Sequence, residues 1–230
     1  MAIDELEKQL RPPLLEMPEY PAKVITLSSG EKMVVRQAKR EEVGVILGTI
    51  YPLLGVPKDF YDIVAARMYA EVLGWFRYRV ANEFVLVGVI DGEIVGIVNS
   101  RMWDQKTGIS FHTMTIRRGL RIGAQLFASK MEHHIEYLGQ DEVHIVAESP
   151  IGWRRWMIEY QLLDQSARYP ALQHELGGVP TFTLTRELYE KARSEKVTGT
   201  RPVPPELLAS AEKLRMPEEY PQIPGFKRGN

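Results

Sequence analysis

The sequence predicts an α+β (mixed α/β) domain, a central twisted mixed sheet flanked by helices, with a proline-rich extension at each end. Three observations predict it. Between Lys23 and Thr185 the spacing of apolar residues switches repeatedly between strand-like alternation and helical spacing. An Asp91-Gly92 pair separates two β-branched runs, which signals an antiparallel hairpin because both turn positions want positive φ. Residues 109–147 then read strand, helix, strand, the pattern of a crossover between parallel strands.

Taken in order, Lys23–Leu27 and Met33–Gln37 read as short strands around the turn Ser28-Ser29-Gly30. Lys39–Ile50 reads as a helix. Phe60–Arg79 reads as another, dense in aromatics: Phe60, Tyr61, Tyr69, Trp75, Phe76 and Tyr78. Phe84–Ile90 and Glu93–Arg101 form the hairpin, and Ile109–Ile116 a further strand. Gly123–Leu138 is a helix with Leu126, Phe127, Met131 and Ile135 on its apolar face, and its His133-His134 pair reads as exposed. Glu142–Ala147 is a strand, Ile151–Leu163 helical, and Thr181–Thr185 alternates as a strand before the polar Arg186–Lys196.

The ends differ in character. Pro12, Pro13, Pro18 and Pro21 interrupt residues 1–22, and Pro202, Pro204, Pro205, Pro217, Pro221 and Pro224 interrupt residues 197–230. Each proline removes a donor and restricts its predecessor, so neither end is helical throughout. The expected division is an N-terminal extension 1–22, a domain 23–188 and a C-terminal extension 189–230. Both ends carry aromatic and aliphatic anchors that suit packing on the domain. The echo between Met17-Pro-Glu-Tyr-Pro21 and Met216-Pro-Glu-Glu-Tyr-Pro221 reads as chance, since repeat architectures need several copies.

Composition narrows the chemistry. A formal net charge of −1 gives no drive toward nucleic acid or an anionic membrane. The absence of cysteine rules out disulfides, thiolate zinc sites and a cysteine nucleophile. No His-x-x-x-His pair is present either, so no metal site is expected. Met1–Leu10 is polar and acidic, without the apolar stretch of a signal peptide, and no window spans a bilayer. A cytoplasmic location is the expectation.

The chemistry concentrates at Met114-Thr-Ile-Arg-Arg-Gly-Leu-Arg-Ile-Gly-Ala124, where a strand runs through a basic loop into a helix. The first turn of a helix has unpaired N–H groups and partial positive charge, which suits an anion. Gly119 and Gly123 give the backbone freedom and let an anion approach it. Arg117, Arg118 and Arg121 add forked donors that match phosphate oxygens. A solvated strand-to-helix turn is the plain alternative.

This stretch resembles the acyl-CoA signature of the GNAT superfamily of N-acetyltransferases, Gln/Arg-x-x-Gly-x-Gly/Ala, with Arg118 at the first place, Arg121 at the first glycine and Gly123 at the second. The order of elements over residues 33–188 is also similar to that family. Two departures stand out: Arg121 occupies a glycine place, and the usual residues between strand and signature are missing. The resemblance implies that Arg117, Arg118, Gly119, Leu120, Arg121, Ile122, Gly123 and Ala124 bind the pyrophosphate of CoA through main-chain N–H groups. Met114, Thr115 and Ile116 would hydrogen-bond its pantetheine arm. Acetyl-CoA is the implied co-substrate, a primary amine of a small molecule or protein the acceptor, and a homodimer is allowed.

Acylating an amine needs a base for the ammonium and an acid for the leaving thiolate. His112, on the strand leading to the loop, is a candidate base, since an unperturbed histidine side chain can take up a proton near neutral pH; a hydrogen-bonded histidine on a sheet face is the alternative. Glu148, ending the next strand, is a second base candidate or else a cap for the following helix. The family's acid is a tyrosine on that helix. Anchoring the family pattern at Ser149 puts Gly152 at its alanine and Trp156 at its tyrosine, so Tyr160, one turn on, is the candidate acid or else a packed aromatic. The segment Tyr51–Tyr78 either shapes an acceptor pocket or fills the core. The expected activity is N-acetyl transfer by direct attack in a ternary complex; the alternative is a GNAT-like module that holds acyl-CoA or a partner without efficient catalysis.

Overall fold

A computed structural model describes residues 3–13, 15–146, 149–164 and 181–226. Its strands are β1 (Lys23–Thr26), β2 (Lys32–Gln37), β3 (Glu83–Ile90), β4 (Glu93–Met102), β5 (Thr107–Thr115), β6 (Glu142–Val146), β7 (Leu163–Asp164) and β8 (Thr181–Thr185). The α-helices are α1 (Ile3–Gln9), α2 (Val43–Ile50), α3 (Tyr61–Phe76), α4 (Ile122–Glu132), α5 (Pro150–Tyr160), α6 (Arg186–Lys196) and α7 (Pro205–Ala211). The strands form one eight-stranded sheet in the order β1-β2-β3-β4-β5-β6-β8-β7. Among the strands of the described residues only β5 and β6 pair in parallel, joined by the α4 crossover. The fold is therefore α+β with a mixed sheet flanked by helices, as the periodicity predicts.

Local chemistry explains the frame. At the β3–β4 turn Asp91 and Gly92 both take positive φ, 49° and 78°, as the tight hairpin requires. One face of the sheet packs against α2 and α3, with Ile46, Ile50, Met68 and Val72 meeting Val85, Val87, Ile97 and Met114. The other face packs against α4, where Ile122 and Leu126 meet Phe84, Leu86, Val95 and Val98. Strand alternation divides these residues between the faces, because successive side chains point to opposite sides.

The extensions are built into this core. Tyr20 is buried and donates its phenol to Glu132 Oε2 at 2.6 Å; Lys23 Nζ donates to the same oxygen at 2.7 Å, and Arg201 to Oε1 at 2.9 Å. Near the C-terminus, Tyr220 is buried and its phenol donates to the carbonyl of Thr49 at 3.0 Å. The chain also pairs Arg215 with the start of β4.

One expectation is corrected. His133 and His134 are 1% and 0% exposed, not solvated. The helix does not run on unchanged past Glu132: it passes into a π turn over His133–Tyr137, which alters the direction of the side chains. His133 stands edge-on to Phe84 at 4.5 Å and to Tyr20 at 5.3 Å, so the N-terminal extension covers it. His134 meets Ser100 Oγ at 2.5 Å and Gln140 Oε1.

Candidate functional site

Strands β5 and β6 stay paired only as far as Ser110 and Ile145. Beyond that point β5 continues to Thr115 while β6 ends at Val146, so the sheet opens between them. A cavity of about 290 Å³ fills the gap, walled by β5, the loop before α4, α4 itself and the start of α5. Ser149 caps α5, accepting from the Gly152 N–H at 3.0 Å.

Within the segment 114–124, Thr115, Arg117, Arg118, Gly119, Arg121, Ile122, Gly123 and Ala124 line this cavity. Met114 and Ile116 face the core instead, and Leu120 packs against the α4 face. Gly119 has φ 88°, a conformation open to glycine. Arg121, at the N-cap of α4, has φ 59° and ψ 19°. The arginine thus keeps the left-handed backbone that a glycine would adopt more easily, at a cost of roughly 1 kcal/mol. Gly123 serves packing: a Cβ there would lie 3.0 Å from Thr115 Cγ2, so a side chain would push α4 off β5.

Two of the three arginines are held within the chain. Arg117 bridges Glu31 Oε1 at 3.0 Å and Glu93 Oε1 at 2.9 Å. Arg118 pairs with Asp59 Oδ2 at 2.7 Å and lies over the Tyr61 ring at 4.5 Å. Arg121 is exposed. Arg155, on the α5 side of the cavity, faces only the more distant Glu159 carboxylate at 3.7 Å among the described residues.

The end of β5 is also anchored. The Ile116 N–H donates to Val95 O at 2.9 Å. Thr115 O accepts from the Tyr61 phenol and from Gln222 Nε2, each at 3.1 Å, and Gln222 Nε2 donates again to Ile116 O at 2.9 Å. The carbonyls expected to face a pantetheine arm at 115 and 116 are therefore engaged from within the chain.

His112, 5% exposed, also lines the cavity. Its Nε2 lies 3.1 Å from Glu71 Oε1 on α3. Asn99 Nδ2 donates to Glu71 Oε2 at 2.5 Å and to Glu83 Oε1 at 3.0 Å. Burial pushes the Glu83 carboxyl well above the usual carboxylate range. Asn99 Oδ1 accepts from the His112 N–H at 3.1 Å.

The remaining candidates are placed differently. Tyr160 is buried and does not line the cavity; its ring stands edge-on to Phe127, a lining residue, at 5.3 Å. Burial pushes its phenol well above the ordinary range, which opposes ionisation. Glu148 lies outside the described residues. Of the aromatic segment, Tyr61 lines the cavity and Trp75 is in the core, while Tyr51 and Phe60 are exposed. Among the described residues, no group of His, Cys, Asp or Glu is arranged to hold a metal ion, and no helix is long and apolar enough to cross a membrane.

Sequence reasoning missed Glu71, Asn99 and Gln222. A signal existed for Glu71. It falls on the apolar stripe of its helix, three residues after the buried Met68 and four before the buried Trp75. A carboxylate at such a place needs a polar partner.

No family model matches the chain, and no curated protein matches it. Solved structures do. The apo structure of FdhC, described as a nucleotide-linked sugar GNAT, superposes with a TM-score of 0.51 at 9% identity, covering 78% of this chain and 97% of that one. The chain has the GNAT fold. An uncharacterised protein from Bacillus halodurans is similar to the same extent, with a TM-score of 0.53 at 9% identity over 77% of this chain and 97% of its own. At this identity the likeness is one of fold alone.

Proposed function

We propose that the chain is an acyltransferase moving an acetyl group from acetyl-CoA to a primary amine of a small molecule or protein. One observation carries the reading: the same cavity is lined both by the loop and N-terminus of α4 and by His112. The loop N–H groups, with Arg121 and Arg155, suit the phosphates of CoA. From there the opened edge of β5 leads toward His112, a route for an extended arm.

In this reading His112 takes the proton from the attacking ammonium, directly or through water, and Glu71 steadies the imidazolium that forms. The neutral amine then forms its bond to the thioester carbonyl carbon, the carbon–sulfur bond breaks, and the thiolate leaves as thiol with the proton that the attacking nitrogen sheds on becoming an amide, passed directly or through solvent. Tyr160 is given a packing role, because Phe127 stands between it and the cavity.

Melting temperature measured with acetyl-CoA, CoA and ATP tests the binding half. A ligand of the native state raises it by linkage, so a flat response to both CoA species removes the proposal. Release of free CoASH across a panel of amines tests the chemistry. The position of Tyr160 favours one second reading, a module that holds acyl-CoA without efficient turnover. That module would respond in the first assay and release CoASH only at background.

A further inference from the structure

Opposite the bulge between β4 and β5, the register passes from Val98↔Thr113 to Ser100↔Ser110, so Asn99 faces both Phe111 and His112. A bulge of this kind breaks the ladder and leaves backbone groups without strand partners. Buried, such groups must be satisfied elsewhere. The His112 N–H is satisfied by Asn99 Oδ1 from the α3 face. The carbonyls of His112 and Asn99 are met from the opposite face, by Lys130 of α4: its Nζ is 3.1 Å from His112 O, 3.4 Å from Asn99 O and 3.4 Å from Thr113 Oγ1.

Lys130 is 0% exposed, and its hydrogen-bond partners among the described residues are the two carbonyls and the Thr113 hydroxyl, with the Glu71 carboxylate acting on it only through its charge. Its neighbours on α4, Phe127 and Met131, are core residues. Filling that space alone calls for an apolar side chain, since a buried amine is costly without acceptors. What the amine adds is a donor for the carbonyls that the bulge leaves over.

We propose that Lys130 is a positioning residue for His112: by bonding the His112 and Asn99 carbonyls through the sheet, it holds the bulge in the form that turns the imidazole onto Glu71. The inference rests on the reading of His112 as the base. Burial brings the Lys130 ammonium down to about 7, in keeping with an amine held by neutral acceptors. The titratable groups around the pair are Glu71 on α3, Glu83 on β3 behind Asn99, and His134 on the π turn after α4.

The test is a double-mutant cycle read by NMR on the full chain at one fixed pH, following the ring nitrogen resonances of His112. Glu71→Gln changes the partner of Nε2 and should move the Nε2 resonance in the unaltered background. With Lys130→Met the same Glu71→Gln change should move it by less than about a third as much, because the two side chains no longer meet. A shift of equal size in both backgrounds overturns the proposal; a merely structural lysine would lower the melting temperature and leave this coupling intact. Should Lys130→Met fail to fold, the unaltered protein decides. The carbonyl carbon shifts of His112 and Asn99 should follow the titration of the Lys130 side chain with the same midpoint, and flat shifts overturn the proposal. Neither readout uses an acceptor or acetyl-CoA, so failure here is distinct from failure of the CoASH-release assay.

Discussion

Glu71 and His112 meet at 3.1 Å although 41 residues separate them, the first on a helix and the second on a strand. The imidazole side chain is 4% exposed and the carboxylate 24%, so the contact is sheltered at one end and reachable at the other. A carboxylate placed this way fixes the ring orientation.

Removing His112 should therefore reach the chemistry and spare the ligand. With an acceptor in hand, His112→Ala should lower kcat by about 10²-fold or more while the Kd for acetyl-CoA stays within about twofold. Glu71→Gln should give a smaller loss with the same unchanged Kd. Steady-state rates beside calorimetric binding check both, and a loss confined to acetyl-CoA affinity would contradict the assignment.

The left-handed backbone at Arg121 predicts a stabilising substitution. Arg121→Gly should raise stability by about 1 kcal/mol, or Tm by roughly 2–4 °C in a chain of this size, by removing the steric cost at φ 59°. Arg121→Ala removes the same charge without relieving the backbone, so it should show no such gain. Both variants should bind acetyl-CoA more weakly. Thermal melts and calorimetry on the pair separate the two effects.

Gly123 makes a packing prediction. A Cβ there would stand 3.0 Å from Thr115 Cγ2, so Gly123→Ala should cost about 1 kcal/mol despite alanine's better helix propensity. Adding Thr115→Ser removes the opposing methyl and keeps the hydroxyl that Tyr61 meets. Denaturant unfolding of both should find the double variant more stable than Gly123→Ala alone, and a purely additive result would locate the strain elsewhere.

The buried pair His133 and His134 predicts acid sensitivity. Burial lowers both to about 3, against about 6.5 in the unfolded chain. Between these values the unfolded state binds more protons, so stability rises with pH and falls as pH drops below about 6.5. Two such groups give a loss of about 4 kcal/mol between pH 7 and pH 5. Urea unfolding across that range measures it, and His134→Gln should roughly halve the slope.

How much of this was legible in the sequence differs by kind of residue. The β5–loop–α4 junction was legible because its signals are local: alternation in Ile109–Ile116, glycines at the turn, apolar spacing after it. His112 was legible as a titratable group on that strand. Glu71 and Lys130 were less so, since each looks like an ordinary charge in a helix until the faces of α3 and α4 are known. Both lie on apolar stripes, and that misfit was the available clue. The burial of His133 was not legible at all, because the ring that covers it belongs to Tyr20, more than a hundred positions earlier. Arg121 stands out in the sequence as an arginine at a glycine place, but its left-handed backbone is set by the turn into α4 and carries no local sequence signal.

The two carbonyls held by Gln222 have a bearing on the order of assembly. Gln222 reaches Thr115 across 107 positions, and Tyr20 reaches Glu132 across 112. Contacts of such span close late, because the entropy of a long loop is lost before the contact returns anything. The hairpin β3–β4 has no such delay. A chain emerging during synthesis can thus form the middle of its sheet early, while the strand end beside the α4 loop acquires its last donor only when Gln222 has been made. In this protein the strand end that borders the cavity is thus held by a residue more than a hundred positions downstream of it.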